Sequence, residues 1–208
     1  MADYIYPAPG VTNVEATLQL HHTSKAVDAT GITVPSLQDI TVNAANDVFT
    51  WTQLDAAAKK QIATTATNSL GMNLVLNQTK FFGDYTEVAD ASALTTWEGT
   101  SPTASEYAYQ LDTKVWYVGD GTTTAVAVVG QPAVASVVGI FGLSTYKARV
   151  QFDLYLGDES DGTAGKHMSG TGYLTGLAPT VSADAPVWVS PITLTIDSDY
   201  QVSNVALA

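Results

Sequence analysis

The side chains best equipped for chemistry are three histidines, His21, His22 and His167, together with several groups of carboxylates. A transition-metal site needs such donors to converge on one point. His21 and His22 are neighbours, and neighbouring side chains on a strand leave opposite faces, so regular geometry keeps them from sharing an ion. They read as surface or turn histidines, and no metal site is expected. The run Asp158-Glu159-Ser160-Asp161-Gly162 is acidic enough to attract calcium. It fails on spacing, because a calcium loop needs oxygen ligands at alternate positions, then Gly, and a bidentate Glu near the end, so a solvated turn is the simpler reading.

Catalytic patterns fail in the same way. Asp84, Glu87 and Asp90 lie in an aromatic-rich stretch where a sugar ring could stack, but their spacing fixes no distance between two carboxyl groups. A charged, solvated loop accounts for them. In Gly162-Thr163-Ala164-Gly165-Lys166 the glycines are too close for a phosphate loop, and His167 stands where a Ser or Thr would hold magnesium. Gly170-Thr171-Gly172 is followed by Thr175 where a dinucleotide fingerprint needs its third glycine. No Gly-x-Ser-x-Gly elbow occurs, and there is no cysteine to serve as nucleophile, thiolate ligand or disulfide. Asn77-Gln78-Thr79 is a glycosylation sequon that matters only in a secreted chain. No catalytic, cofactor-binding or metal residue is therefore assigned, no cofactor is expected, and the chain reads as a non-enzyme.

Composition narrows the partners. Of 208 residues, 46% are hydrophobic, which is enough apolar surface to offset the ordering entropy of one sizeable domain, and residues 1–208 read as a single unit. The formal charge of −12 gives no basic face with which to displace counterions from phosphates, so specific duplex binding is not expected. A channel of the same sign as DNA would instead let a polyanion slide past without local binding minima. The first residues, Met1 to Pro7, lack a basic segment followed by an apolar run, so the protein is expected to be made in a cytosol. Residues 124–143 are mostly apolar but are interrupted by Gln131-Pro132 and three glycines. Buried strands or an apolar docking loop are expected there rather than membrane insertion.

The elements that would position any site are mainly strands. Alternation marks strands at 14–20, 38–42, 48–51 and 72–76, and others near 114–118, 167–175 and 187–196. Asp120-Gly121 marks a hairpin. One helix is expected over about 54–70, where Leu54, Ala58, Ile62, Ala66 and Leu70 fall four apart and Gly71 provides a stop. Residues 80–110 lose periodicity and read as a long loop excursion. Its Phe81, Phe82, Tyr85, Trp97 and Tyr107, with Phe141 of the apolar run, are candidate contacts between subunits, or else fold back onto their own domain. The longest alternating run is 146–156, roughly 36 Å of strand at about 3.3 Å per residue. It sets Arg149, Gln151 and Asp153 on one polar face, the candidate lining of a lumen. The resulting class is mainly β, an antiparallel sandwich or barrel with one helix.

Residues 152–202 resemble the tail tube, or major tail, proteins of long-tailed, siphovirus-like bacteriophages. The resemblance lies in Gly170-Thr171-Gly172-Tyr173-Leu174-Thr175-Gly176-Leu177, a small-residue turn into a strand, and in the final alternating strand Ile192-Thr193-Leu194-Thr195-Ile196. It implies a tail-tube-like fold and a structural virion protein located in the tail. It also implies a ring-forming subunit, commonly a hexamer, whose long hairpins join across subunits. Such rings stack into a tube, contact other tail proteins and pass DNA into the host without binding it specifically. The competing readings are a capsid decoration or fibre protein, from the hairpin at residues 118–122, and a carbohydrate-binding β domain built on Trp97.

Overall fold

Period-two alternation of apolar and polar side chains shapes the larger of the sheets. The computed structural model describes residues 16–22, 31–34, 37–44, 46–51, 60–65, 67–156, 166–181, 187–197 and 200–204. The first elements are β1 (Ala16–His22), β2 (Ile32–Thr33), β3 (Leu37–Asn43), β4 (Asn46–Trp51), β5 (Lys60–Thr65) and β6 (Ser69–Val75). Next come α1 (Gln78–Phe82), β7 (Thr86–Val88), α2 (Ala91–Glu98), β8 (Tyr107–Gln110), β9 (Val115–Gly119), β10 (Ala125–Val128) and α3 (Ala135–Thr145). The last are β11 (Arg149–Leu156), β12 (Lys166–Leu177), β13 (Val189–Ile196) and β14 (Gln201–Asn204).

Eight strands form an antiparallel sheet in the order β2-β1-β11-β12-β13-β6-β3, with β14 also paired to β12. Residues of β1 and β3 approach within 8 Å of one another, so the sheet curls toward closure. Its inner face carries Leu20, Leu70, Met72, Leu74, Val150, Phe152, Leu154, Ile192 and Leu194, all nearly or fully buried. Each such side chain contributes about 1.5–3 kcal/mol by leaving water. Phe152 sits opposite Gly170 on β12, and a Cβ at Gly170 would come within 3.0 Å of the Phe152 ring. The glycine leaves the space that the ring occupies. The mainly β, antiparallel class expected from the sequence is the class observed.

The single helix expected at 54–70 is not. Residues 52–59 lie outside the described residues, but 60–65 form β5 and Leu70 is a fully buried member of β6. The fourfold stripe was real but coincided with β-branched residues, Ile62, Thr64, Thr65 and Thr67, which lose side-chain freedom in a helix and suit a pleated ribbon. Gly71 is a strand residue rather than a helix stop, paired to both Thr41 and Thr193. Residues 14–15 of the first expected strand and the turn 157–165, with its acidic and Gly-Lys motifs, also lie outside the described residues.

Residues 80–110 prove to be structured. β7 and β8 run parallel with α2 between them, forming a small crossover unit that β9 and β10 extend into a four-stranded sheet. Asp90 caps α2, its carboxylate accepting from the Ser92 and Ala93 amides at 2.9 Å each. Leu94 packs with Val88 and Ala108 beneath it. The hairpin at Asp120-Gly121 exists, but its loop is wider than a two-residue turn, because Gly119 pairs with Ala125. The Asp120 carboxylate fills the loop by accepting from Thr122 and Thr124.

The apolar run splits into β10 and α3, not two buried strands. α3 carries β-branched Val137, Val138 and Ile140, poor helix formers, yet burial on nearly every side overrides that preference. It bends at Gly139, whose φ is 69°, and Gly83 at the end of α1 has φ 105°. A Cβ at Gly139 would lie 2.4 Å from the Gly83 nitrogen, so the two helices meet backbone against backbone and glycine is required at the crossing. Phe81, Ala135, Val138, Ile140 and Leu143 then cap the apolar face of the large sheet. The helix also shortens the long strand. The Tyr146 amide donates to Gly142 and the Ala148 amide to Leu143, so β11 starts at Arg149 rather than at residue 146. Among the described residues, no helix is long and apolar enough to cross a membrane.

Phe152→Ala is expected to cost about 3–5 kcal/mol, because its neighbours across β1 and β12 cannot collapse into the vacated space. Urea unfolding followed by circular dichroism checks this through a lower midpoint at unchanged slope.

Candidate assembly surfaces

The outer face of the large sheet is polar, and β11 sets its centre. Asp153 is only 8% exposed. His167 on β12 places its Nε2 2.8 Å from Asp153 Oδ1, and His21 on β1 places its Nε2 3.4 Å from Oδ2. The Gln151 amide donates to the same Oδ2 at 3.4 Å. Three adjacent strands are thus tied across a single carboxylate. The sequence reading missed this grouping, because it compared His21 with its neighbour His22 instead of with strands that only the register brings alongside. Among the described residues, no group of three or more His, Asp or Glu is arranged to hold a metal ion.

Arg149, four residues before Asp153 on the same face, is exposed and engaged. Its Nε donates to Asp197 Oδ2 at 2.7 Å, and its Nη2 donates to Asp197 Oδ1 at 3.3 Å and to Thr171 Oγ1 at 2.8 Å. Thr171 donates its hydroxyl to Asp197 Oδ1 at 2.8 Å. The Arg149 guanidinium, with the Thr171 hydroxyl, holds the Asp197 carboxyl below the usual carboxylate range, and the same pairing pushes Arg149 up. Arg149, Gln151 and Asp153 are all held by neighbouring side chains. Farther across the sheet Thr175 is bonded to Thr195, and Asn73 donates to both oxygens of the Asp39 carboxylate.

The six aromatic candidates part company. Phe81 is fully buried in the core and offers nothing to a neighbouring molecule, a correction that follows from its place between α1 and α3. Tyr85 is half-buried with its ring 4.8 Å from Trp116, which Tyr109 also meets at 4.8 Å. The Trp116 indole donates to the Tyr146 hydroxyl at 3.2 Å, locking the small sheet to the end of α3. Burial, followed by the nearby Glu87 charge, pushes the Tyr85 hydroxyl up. Trp97 is half-buried against the α2 cluster, so it is not an open sugar platform, and Tyr107 is half-buried on β8. Phe82 and Phe141 remain, 49% and 45% exposed, with rings 5.9 Å apart. Beside them a groove of about 580 Å³ is lined by Val75, Leu76, Phe82, Val187 and Trp188. Exposed apolar surface of this kind marks association sites.

A second apolar surface lies on β4, expected as a strand at 48–51, and β5, which falls in the stretch expected to be a helix. β3 and β6 pair up to Asn43 and Ser69, and β4 and β5 resume the pairing from Asn46 and Thr65. The β4–β5 pair is a separate two-stranded sheet. In this pair, Phe49 faces Ile62 across the ladder, and the two are 60% and 55% exposed. The long strand expected at 146–156 is β11, which is shorter than expected, Arg149–Leu156.

No family model matches the chain, and no curated protein matches it by sequence. Solved structures do. A chain of the PVC sheath-tube complex, an extracellular contractile injection system in its extended state, is 12% identical with a TM-score of 0.43, over 96% of this chain and 93% of that one. The SPP1 tail tube is 8% identical with a TM-score of 0.42, over 93% and 80%. The anti-feeding prophage cap, which terminates a tube, is 10% identical with a TM-score of 0.43, over 98% and 97%. Each of the three comes from a tube assembly or from the cap that ends one.

Two outcomes follow from the polar face. Asp153→Ala leaves the donors of His21, His167 and Gln151 without their shared acceptor and is expected to cost about 1–3 kcal/mol in a thermal or urea melt. Asp197 has a depressed pKa, so its contribution to stability is complete above the ordinary carboxylate value of about 3.9 and disappears as pH falls through the depressed one. The stability gap between the native chain and Asp197→Asn should therefore narrow as pH falls below the ordinary carboxylate value of about 3.9 in urea melts.

Proposed function

We propose that this chain is a structural, non-enzymatic virion subunit that joins copies of itself into stacked rings, forming the tail tube through which DNA passes into the host cell. The observation that carries the reading is the β4–β5 hairpin, a separate two-stranded sheet that leaves large apolar side chains exposed. A two-stranded hairpin is marginal in water on its own, and this one turns the Phe49–Ile62 pair outward. The strand edges β2 and β3 are likewise unpaired on their outer sides in the described sheet order. Natural proteins shorten or cover such edges, and closure into a ring pairs them. A hexamer is the ring size that the sequence resemblance implies.

Supporting features agree in direction. The sheet buries one face beneath its own helices and keeps the other polar, which suits a subunit that lines a water-filled tube. The formal charge of −12 suits passage of a polyanion without local binding. The exposed patch around Phe82, Phe141 and Trp188 provides a second contact surface, toward copies of the chain or toward other tail proteins. On this reading the subunit is made in the host cytoplasm and ends in the virion tail.

Negative-stain microscopy of the purified chain at high concentration should show rings or tubes. Phe49→Asp should leave the melting temperature within a few degrees of the native value and abolish assembly, since the substitution charges an exposed position and removes an apolar joint. A native chain that stays monomeric at high concentration would defeat the proposal.

A further inference from the structure

Strand β6 has an apolar feature at each of its ends. Its first residue, Ser69, pairs with Asn43 at the end of β3, and the β4–β5 hairpin is formed from the chain between those two residues. Its last residue, Val75, pairs with Val189, and the next amide, that of Leu76, donates to the Trp188 carbonyl at 2.9 Å. At that end lies the groove of about 580 Å³ lined by Val75, Leu76, Phe82, Val187 and Trp188. Ser69 and Val75 stand about 20 Å apart at 3.3 Å per residue, so hairpin and groove mark opposite ends of one strand. The hairpin keeps apolar side chains exposed on both faces, Val48 on one and the Phe49–Ile62 pair on the other. Both surfaces are also electrically quiet. The groove lining carries no charged side chain among the described residues, and residues 46–65 hold Asp47 and Asp55 against Lys59 and Lys60, in a chain whose formal charge is −12. Copies that repel one another overall can approach through these two surfaces at little electrostatic cost.

We propose that the β4–β5 hairpin of one copy seats in the Phe82–Trp188 groove of the next, as a head-to-tail joint. The inference rests on the tube reading, which supplies the copies to be joined. A contact between two different patches leaves one hairpin and one groove open on every pair, so it propagates from copy to copy. Its size fits that role. Phe82, Phe141 and Trp188 are each about half exposed, and an aromatic side chain buries 150–250 Å², so with Val187 they offer roughly 400 Å². Val48, Phe49 and Ile62 offer a similar or smaller area. The joint therefore falls short of the roughly 1,200–2,000 Å² that a stable complex of two proteins buries. A lone pair of subunits comes apart, whereas many joints repeated through an assembly hold by avidity.

The chain contains no cysteine, so single cysteines can report the joint. Gln61→Cys marks the hairpin beside Ile62, and Val187→Cys marks the groove, both at exposed positions. The full-length variants are concentrated, separately and mixed in equal amounts, treated with a short bis-maleimide and run on denaturing gels. The mixture should give at least about tenfold more linked dimer than either variant alone, and the double variant should give a ladder of longer products. Trp188→Asp in the groove partner should remove the link, with circular dichroism reporting that it remains folded. Ala63→Cys serves as a second hairpin marker should Gln61→Cys misfold. The inference is overturned if the hairpin variants link chiefly to themselves, which makes the contact hairpin to hairpin. It is overturned equally if the mixture stays unlinked in protein that electron microscopy shows assembled, which assigns the groove to another partner and leaves the tube reading standing. Linked ladders in protein that forms neither rings nor tubes would support the joint and count against the tube reading, and the absence of both linking and assembly defeats both.

Discussion

Burial of one face of the curled sheet beneath α1 and α3 is the constraint from which the other features follow. Val150, Phe152 and Leu154 on β11, with Ile192 and Leu194 on β13, point into a single core that Phe81, Val138, Ile140 and Leu143 close from the other side. A strand has only two faces, so committing one of them to that core commits Arg149, Gln151 and Asp153 to the other. A slip of one residue would exchange the faces. The ties from Asp153 to His21 and His167, and from Arg149 to Asp197, hold β1, β11 and β12 in the register that the core selects.

The helices that cover the core come from the stretch of chain with the least regular sequence. Residues 76–148 leave the sheet after β6, build a four-stranded sheet with its own crossover, and return through α3 into β11. Contact between Gly83 and Gly139 lets α1 and α3 cross closely enough for Phe81 to reach the core. The same geometry leaves Phe82 and Phe141 outside. The insertion thus serves two ends, a lid on the inner face and an apolar surface toward whatever lies beside the molecule.

Much of this architecture was legible in the residues, and the misses have physical causes. Strands with strict alternation, such as β11 and β13, were readable because one face is buried and the other wet. The segment at 60–70 misled because Ala, Ile and Leu at fourfold spacing describe a helix, while the Thr and Ile between them favour a strand, and pairing with β4 decided the matter. α3 was hidden because an element buried all round has no polar face to reveal its period. α2 announced itself only through Asp90, a cap that a short helix shares with many turns. The grouping of His21, Asp153 and His167 could not be read from spacing, since only the register brings β1, from the start of the chain, alongside β11. Asp197 escaped for the same reason.

In the tube reading the β4–β5 ribbon is a joint between copies. Hydrogen–deuterium exchange compared between dilute and concentrated protein addresses it most directly, because it reports the fate of each backbone amide. The account predicts that amides of residues 46–51 and 60–65 exchange freely when dilute and become protected on concentration, while those of β11 and β13 are equally slow in both states. Equal exchange of the ribbon at every concentration would contradict it.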